Sequence, residues 1–403
     1  MRRILYVTYG DPEDTSSGNA QRTHLIYEAL KKIGRVYTIQ LVESDAGRVR
    51  DDFCRCILTP PHGWRQRVNQ LVHHLLLWPT HGLVQGYYPF SFQLDVGGCF
   101  PGIEFDLVVK RYFGHLGVAH LWDIAPLYVD IDDHPKEVYE TFVMPRIGWR
   151  RGYVSLLRRL YQWLIERHVT GGWVANASQT EWSHFKTPVL HLPNLPQLPS
   201  DKYCPEASRE GYVFSIGLMA YQANYEGVDR FVTEIWPQVR QEFPALQYFI
   251  CGKGAPSALR QKWAAVSGVK VLGFVDDLEP LYAHALATVV PIDQGGGTCL
   301  KTLESMAHAR VCLSTPFGAR GLPEDDVQNG KCGIAVYRTA EEFVAQLRHA
   351  VFDARERHSL EIAGEQYVRA HYSKEEFEKA VEWLKEDVVA QKKLACMCDK
   401  QKR

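Results

Sequence analysis

No long hydrophobic run occurs in this 403-residue chain, so no segment approaches the roughly 20 apolar residues that span a bilayer as a helix. The opening MRRILYVTYG reads as a short apolar strand, too short for the core of a secretory signal. An excess of one charge is also missing. With 46 Lys and Arg against 47 Asp and Glu, the overall balance gives no argument for nucleic acid as a partner. Short-period repeats and low-complexity tracts are absent too. Cysteine is present, ten in all, but without a disulfide framework: neither Cys54-x-Cys56 nor Cys396-x-Cys398 has a second pair at zinc-site spacing. These thiols read as reduced and mostly buried, and the expected compartment is the cytoplasm.

What is present is alternation. A chain of this length exceeds one ordinary core, so two domains are expected. In the second half, short apolar strands (GYVFSIG at 211–217, LQYFICGKG at 246–254, VKVLGFV at 269–275, ATVVPI at 287–292, VCLSTP at 311–316) are separated by segments of helical apolar spacing, such as 224–243. Such alternation builds a parallel sheet with helices on its faces. The first half repeats the pattern with more interruptions, through RRILYVTYG, RVYTIQLV, FDLVVKRY (105–112), PLYVDID (126–132) and VTGGWVANAS (169–178). The Pro-rich LPNLPQLPSDKYCPEA at 192–207 cannot sustain a helix or a central strand and reads as a linker. The expected architecture is α/β: Rossmann-like domains at 1–198 and 199–375, then a long C-terminal helix and tail at 376–403. Ligand is expected in a cleft lined by the carboxyl ends of the strands.

One stretch concentrates chemistry: IDQGGGTCLKTLESMAHARVCLSTPFGARGL at 292–322. Its glycines permit close backbone approach, and the start of the helix that follows offers unpaired N–H groups to an anion. Cys299, Leu300, Leu303, Met306 and Ala307 fall at core spacing, while Lys301, Glu304 and His308 fall on the opposite stripe. Amides around Gly297, Thr298 and Cys299, with the Lys301 charge, suit a diphosphate. Glu304, acceptor-only when ionised, suits sugar hydroxyls. A ribose offers two of them, so the constellation reads as a nucleoside diphosphate site. The plainer alternative is an exposed Lys–Glu pair on a solvated helix, which is common and weak. The three preceding glycines argue against it.

PIDQGGGTCLKTLESMA, SIGLMAYQANYEGVDRFVTEIWPQVRQEFP, YFICGKG and VKVLGFVDDLEPLYAHA together cover nearly all of 211–322. They resemble the signature of retaining, nucleotide-sugar-dependent glycosyltransferases of the GT-B fold, family 4 (glycosyl transferases group 1), in a GGGT-x-L-K-x-L-E subgroup. The resemblance implies two Rossmann-like domains facing each other across a cleft, with a C-terminal helix crossing back to the first. It implies that Glu304 binds ribose hydroxyls, and that the diphosphate meets Lys301 and the amides of Gly296, Gly297, Thr298, Cys299 and Leu300. Gly217, Asn224 and Gly252 would line the donor site, and Phe274 and Val275 would lie against the base. Gly18, followed by Arg22 and His24, resembles the family's glycine loop after the first strand, and LHLPN (190–194) its interdomain signal. Two positions depart. Gly296 stands where the commoner pattern has a sugar-contacting glutamate, and Leu218-Met219-Ala220 where Arg and Lys often grip the diphosphate; both changes put more weight on Lys301. The implied reaction transfers a sugar, with retention, from a nucleotide-diphosphate sugar to a glycan or lipid-linked glycan in cell-surface polysaccharide or glycoconjugate synthesis. No cofactor and no metal are implied.

In the first half, DIDDH places Asp130, Asp132, Asp133 and His134 at the end of an expected strand. Such carboxylates can hold Mg²⁺ or cap the next helix. Family members commonly have a histidine facing the donor sugar here; Asp132 holds that position. Asp132 or His134 is therefore expected to contact sugar and acceptor, joining Lys301 and Glu304 as the catalytic set. Residues 144–170 carry six arginines interleaved with Trp149, Tyr153, Tyr161 and Trp163, and Trp64, Val68, Leu71, Val72, Leu75 and Leu76 share one stripe of 64–78. Such helices either lie on an anionic membrane or pack on the sheet with solvated arginines. With lipid-linked acceptors implied, peripheral contact with the inner face of the membrane is expected. Three rivals remain. A nicotinamide dehydrogenase needs G-x-G-x-x-G after the first strand of its domain, and the nearest match, GKGAPS, ends in Ser257 elsewhere. A two-domain solute-binding protein would need export. A catalytically silent GT-B scaffold subunit would bind without turnover.

Overall fold

Fourteen strands form two sheets in a computed structural model that describes residues 1–15, 18–77, 87–132, 134–140, 148–206, 208–295 and 299–390. The chain divides into two units, Met1–Pro193 with Glu375–Arg403, and Asn194–Lys374.

The first unit holds β1 (Arg2–Thr8), β2 (Gly34–Leu41), β3 (Gly47–Arg50), β4 (Phe53–Cys56), β5 (Leu107–Arg111), β6 (Leu127–Asp130), β7 (Gly171–Val174) and β8 (Val189–His191). Their order is β3-β4-β2-β1-β5-β6-β7-β8, parallel apart from the β3–β4 pair. β1 is apolar and wholly buried from Ile4 to Val7, as a strand covered on both faces must be. α1 (Gly18–Ile33) buries Ile26, Ala29, Leu30 and Ile33 at helical spacing. α2 (Trp64–Val72) runs into a π turn at His73–Leu77, and α3 spans Arg151–Glu166.

The second unit holds β9 (Tyr212–Ile216), β10 (Gln247–Cys251), β11 (Val269–Gly273), β12 (Ala287–Val290), β13 (Cys312–Ser314) and β14 (Ile334–Val336), in the order β11-β10-β9-β12-β13-β14. All pairs are parallel. This is the 3-2-1-4-5-6 winding, which reverses between β9 and β12 and so opens a crevice at the carboxyl ends of those strands. Between them stand α4 (Gln222–Arg230), after β9, and α5 (Leu300–Ala307), after β12.

The single helix expected over 224–243 is instead three pieces: α4, a π turn at Phe231–Ile235 and a short helix Trp236–Glu242. Pro237 sits in the first turn of the last piece and has no N–H to continue the ladder. The C-terminal helix is likewise interrupted. α6 (Lys374–Glu382) stops at Trp383, and helix resumes at 384–390. The Trp383 ring meets the edges of Tyr128 and Trp173. Trp173 Nε1 donates to the Ala380 carbonyl (3.1 Å) and Tyr128 Oη to Asp387 (2.6 Å), so the chain returns to the first sheet.

Candidate functional site

β9, β10 and β11 are laced together one residue beyond their ends. Gly217 N–H donates to the Cys251 carbonyl (3.2 Å) and Gly252 N–H to the Gly273 carbonyl (2.6 Å). Gly252 has φ +131°, and a Cβ there would lie 1.7 Å from the Gly217 carbonyl oxygen; only glycine fits. A Cβ on Gly217 would meet Lys301 Cε at 2.8 Å, so that glycine leaves the space the lysine stem crosses. Lys301 Nζ ends 2.8 Å from Asn224 Oδ1, and the buried Asn224 is oriented by its own Nδ2 donating to the Leu218 carbonyl (2.8 Å). Gly217, Asn224, Gly252 and Lys301 thus form one cluster where the winding reverses.

Small polar side chains seat α5. Thr302 Oγ1 donates to the Gly318 carbonyl (2.7 Å), and the Ser305 hydroxyl shares a 2.6 Å hydrogen bond with Thr288. Burial is wider than the expected apolar stripe: Thr302, Ser305 and His308 are buried alongside Leu303 and Met306. His308, expected on the polar stripe, stacks on Tyr282 with centroids 4.0 Å apart and donates through Nδ1 to the Glu304 carbonyl (2.7 Å). Leu300, Lys301 and Glu304 alone on α5 keep partial exposure. Cys299, at the N-cap, makes no side-chain cap bond, and its carbonyl takes the Thr302 N–H at 3.1 Å; among the described residues, Leu300 and Lys301 are the first-turn amides left for an acceptor. Gly296, Gly297 and Thr298 lie outside the described residues. Burial pushes the Glu304 carboxyl up to about 7, with the Lys301 charge pulling the other way. One turn of helix therefore presents a cation and a carboxyl poised between its two charge states.

Around this cluster the rim is apolar and basic. Phe274, after β11, is exposed, with Lys253 Nζ 5.8 Å from its ring centroid; Val275 is partly buried against the core around Phe214 and Tyr282. Lys253 is a cation that sequence reasoning passed over, although its place directly after a strand was a usable signal. The GKGAPS turn follows β10, the second strand of its sheet, so it is not a dinucleotide fingerprint.

In the first unit, Gly18 is the exposed first residue of α1. Asp130 is fully buried between two guanidinium groups: Arg22 donates through Nε (3.0 Å) and Nη2 (2.5 Å), and Arg111 through Nη1 (2.5 Å). Arg111 Nη2 also donates to Asp132 (2.9 Å), and Arg22 Nη1 to the Leu192 carbonyl (2.8 Å). Asp132 and Tyr112, just past β6 and β5, have left-handed backbone at φ 59° and 64°; strain of this kind gathers at functional sites. His134, expected with Asp132 as the alternative sugar or acceptor contact, has both ring nitrogens engaged within the protein. Its ring is wholly buried, Nδ1 accepts from Lys136 N–H (3.1 Å) and Nε2 shares a 2.9 Å bond with Ser183 Oγ. Burial first, then the charges of Arg158 and Lys136, hold it down at about 3, so it is a neutral helix cap. His24 is similarly occupied, by the Pro12 carbonyl at 2.9 Å. Among the described residues no group of three or more His, Cys, Asp or Glu could hold a metal ion.

Residues 210–353 match the family described as Glycosyl transferases group 1. The chain is similar to solved structures along nearly its whole length. Sucrose-phosphate synthase from Thermosynechococcus elongatus is 14% identical, with 97% of this chain and 100% of that one covered and a TM-score of 0.61. HepE from Anabaena, in complex with UDP and glucose, is 11% identical over 95% and 99% of the two chains, TM-score 0.58. WaaG, a glycosyltransferase involved in lipopolysaccharide biosynthesis, is 14% identical over 94% and 98%, TM-score 0.55. At these identities the likeness carries the fold, which is GT-B. No curated protein matches the chain.

Proposed function

We propose that this chain is a glycosyltransferase that takes its sugar from a nucleoside-diphosphate donor held by the second unit. One observation carries the reading: Lys301 and Glu304 stand one turn apart on the uncapped start of α5, at the point where the sheet reverses. The family match over 210–353 spans that whole region, and HepE was solved with UDP and glucose. In this reading the α5 amides, Gly296, Gly297 and Lys301 hold the diphosphate, Glu304 the ribose hydroxyls, and Phe274 and Val275 the base. When the bond from the anomeric carbon to the diphosphate breaks, its electron pair stays on phosphate oxygen, where Lys301 and the amides stabilise it. Transfer is to a glycan or lipid-linked glycan, with retention, without a metal, and the setting is cytoplasmic synthesis of a cell-surface polysaccharide or glycoconjugate.

Thermal-shift screening against UDP-, GDP-, TDP- and ADP-sugars should single out one nucleotide class that raises Tm by mass action on the folded state. No response to any of them, or stabilisation by NAD instead, would defeat the proposal. Binding without turnover would leave a silent scaffold.

Glu304 adds a pH signature. A carboxyl raised from 4.5 to about 7 on folding makes the native state hold the extra proton between those values. Its contribution to stability is therefore complete below 4.5 and is lost as pH rises through 7. The ionised carboxylate accepts from ribose hydroxyls on both oxygens and more strongly than the protonated form, which keeps only part of its acceptor capacity, so bound donor favours proton release. Affinity for a sugar-capped nucleotide, whose diphosphate has no proton to lose near neutrality, should tighten by up to about tenfold per pH unit below 7 and then level off. Glu304→Gln should bind more weakly and show no such slope; a flat wild-type profile by calorimetry would remove Glu304 from the contact.

A further inference from the structure

α3 carries two apolar stripes, and among the described residues only one of them is buried. Val154, Leu157, Tyr161 and Ile165 are buried. On the other side Leu156 and Trp163 are 66% and 60% exposed, with Tyr153 and Leu160 also open. α2 shows the same imbalance. Its buried residue is polar: Asn69 donates from Nδ2 to the Phe90 carbonyl (2.6 Å) and accepts from the Phe90 N–H (3.1 Å). Trp64, Leu71 and Leu75 stay 62%, 56% and 59% exposed. The stripe expected from the sequence is thus shifted, with Val68 and Val72 half-buried. Tyr153 Oη donates to the Leu76 carbonyl (3.3 Å), which joins the end of α2 to the start of α3. Isolated exposed leucines are ordinary; a surface of this size on two neighbouring helices marks an interaction face.

The charge says what covers it. Arg65, Arg67, Arg151, Arg159 and Arg167 are exposed along the same two helices. The single acid in 64–77 and 148–167 is Glu166, which is buried and already accepts from Gln162 Nε2 (2.7 Å) and the His184 N–H (3.1 Å). Arg65 and Arg167 lie over the rings of Trp64 and Trp163, at 5.8 and 5.2 Å. A cation beside an amphipathic aromatic ring matches the headgroup boundary of a bilayer. A second copy of this face would set arginine against arginine. We infer that α2 and α3 form one peripheral docking surface for an anionic lipid bilayer. No described helix is long and apolar enough to cross a membrane. The surface stands independently of the transferase reading.

Flotation of the full chain with phosphatidylcholine vesicles, with and without phosphatidylglycerol, tests it. The protein should float with the anionic vesicles, be released by high salt, and ignore the neutral ones. Arg159→Glu with Arg167→Glu should lower partitioning about tenfold or more, and Leu156→Ser with Trp163→Ser should also lower it. These side chains are exposed, so Tm should match wild type in each variant. Equal binding to neutral and anionic vesicles, or wild-type partitioning by both variants, would overturn the assignment. A concentration-dependent dimer lost in the same variants would give the face to self-association instead.

Discussion

Lys301→Met is expected to lower kcat by about 10²–10³-fold while leaving donor affinity within roughly tenfold of wild type. The reason lies in where the charge is needed. In the ground state the donor's diphosphate shares its charge with the sugar ester and with solvent. As the glycosidic bond breaks, negative charge grows on the departing oxygen, and a fixed cation gains most at that moment. Lys301 is fixed: its stem crosses the gap left by Gly217, and its amine rests on Asn224 Oδ1 at 2.8 Å. Methionine keeps the stem without the charge. Folding should lose about 1 kcal/mol from the broken hydrogen bond, so a large kcat loss would not be a folding artefact. Activity should persist in EDTA in the wild type. Full activity of Lys301→Met would show that another group carries the leaving charge, and equal losses in kcat and affinity would make Lys301 a general binding residue.

The second large effect belongs to the first unit and to stability. Asp130→Ala should cost about 3–5 kcal/mol, because removing one partner of a buried ion pair leaves the other uncompensated. Here two partners are left. Arg22 and Arg111 are both buried, and among the described carboxylates Asp132 would remain to face them. The network also fastens α1 to β5, β6 and the Leu192 carbonyl after β8, so the loss should appear as a cooperative fall in unfolding free energy. Urea denaturation followed by circular dichroism measures it. A loss under about 1 kcal/mol would mean that water reaches the guanidinium groups and the network is not buried in energetic terms.

How much of this could be seen in the sequence follows the range of the interactions. β9, β10 and β12 are buried apolar runs edged by glycine or proline, and such strands announce themselves. Lys301 and Glu304 were legible because one helix turn relates them, and local spacing is what a sequence displays. His308 shared that spacing, but Tyr282, from another helix, covers it. β3 offers no apolar run and is exposed along its length; β8 and β14 have three residues each. Asp130 and Asp132 were visible as strand-end carboxylates. Their partners were not, since Arg22 lies 108 residues from Asp130 and nothing in either segment names the other. The burial of His134 has the same origin: Ser183 is 49 residues on.

The return of the chain at Trp383 has a consequence for how the protein is made. Trp173 Nε1 finds its acceptor 207 residues later, and Tyr128 Oη finds its acceptor 259 residues later. At about 5–20 residues per second, a ribosome needs roughly 10–40 s to travel from Trp173 to Ala380. For that interval the part of the first sheet around Tyr128 and Trp173 lacks its carboxyl-terminal cover, while the whole second unit is synthesised and free to fold. The amino-terminal half should therefore be the last to become resistant to protease, reversing the usual order of vectorial folding. Nascent chains stalled before residue 380 should present that uncovered aromatic surface to chaperones.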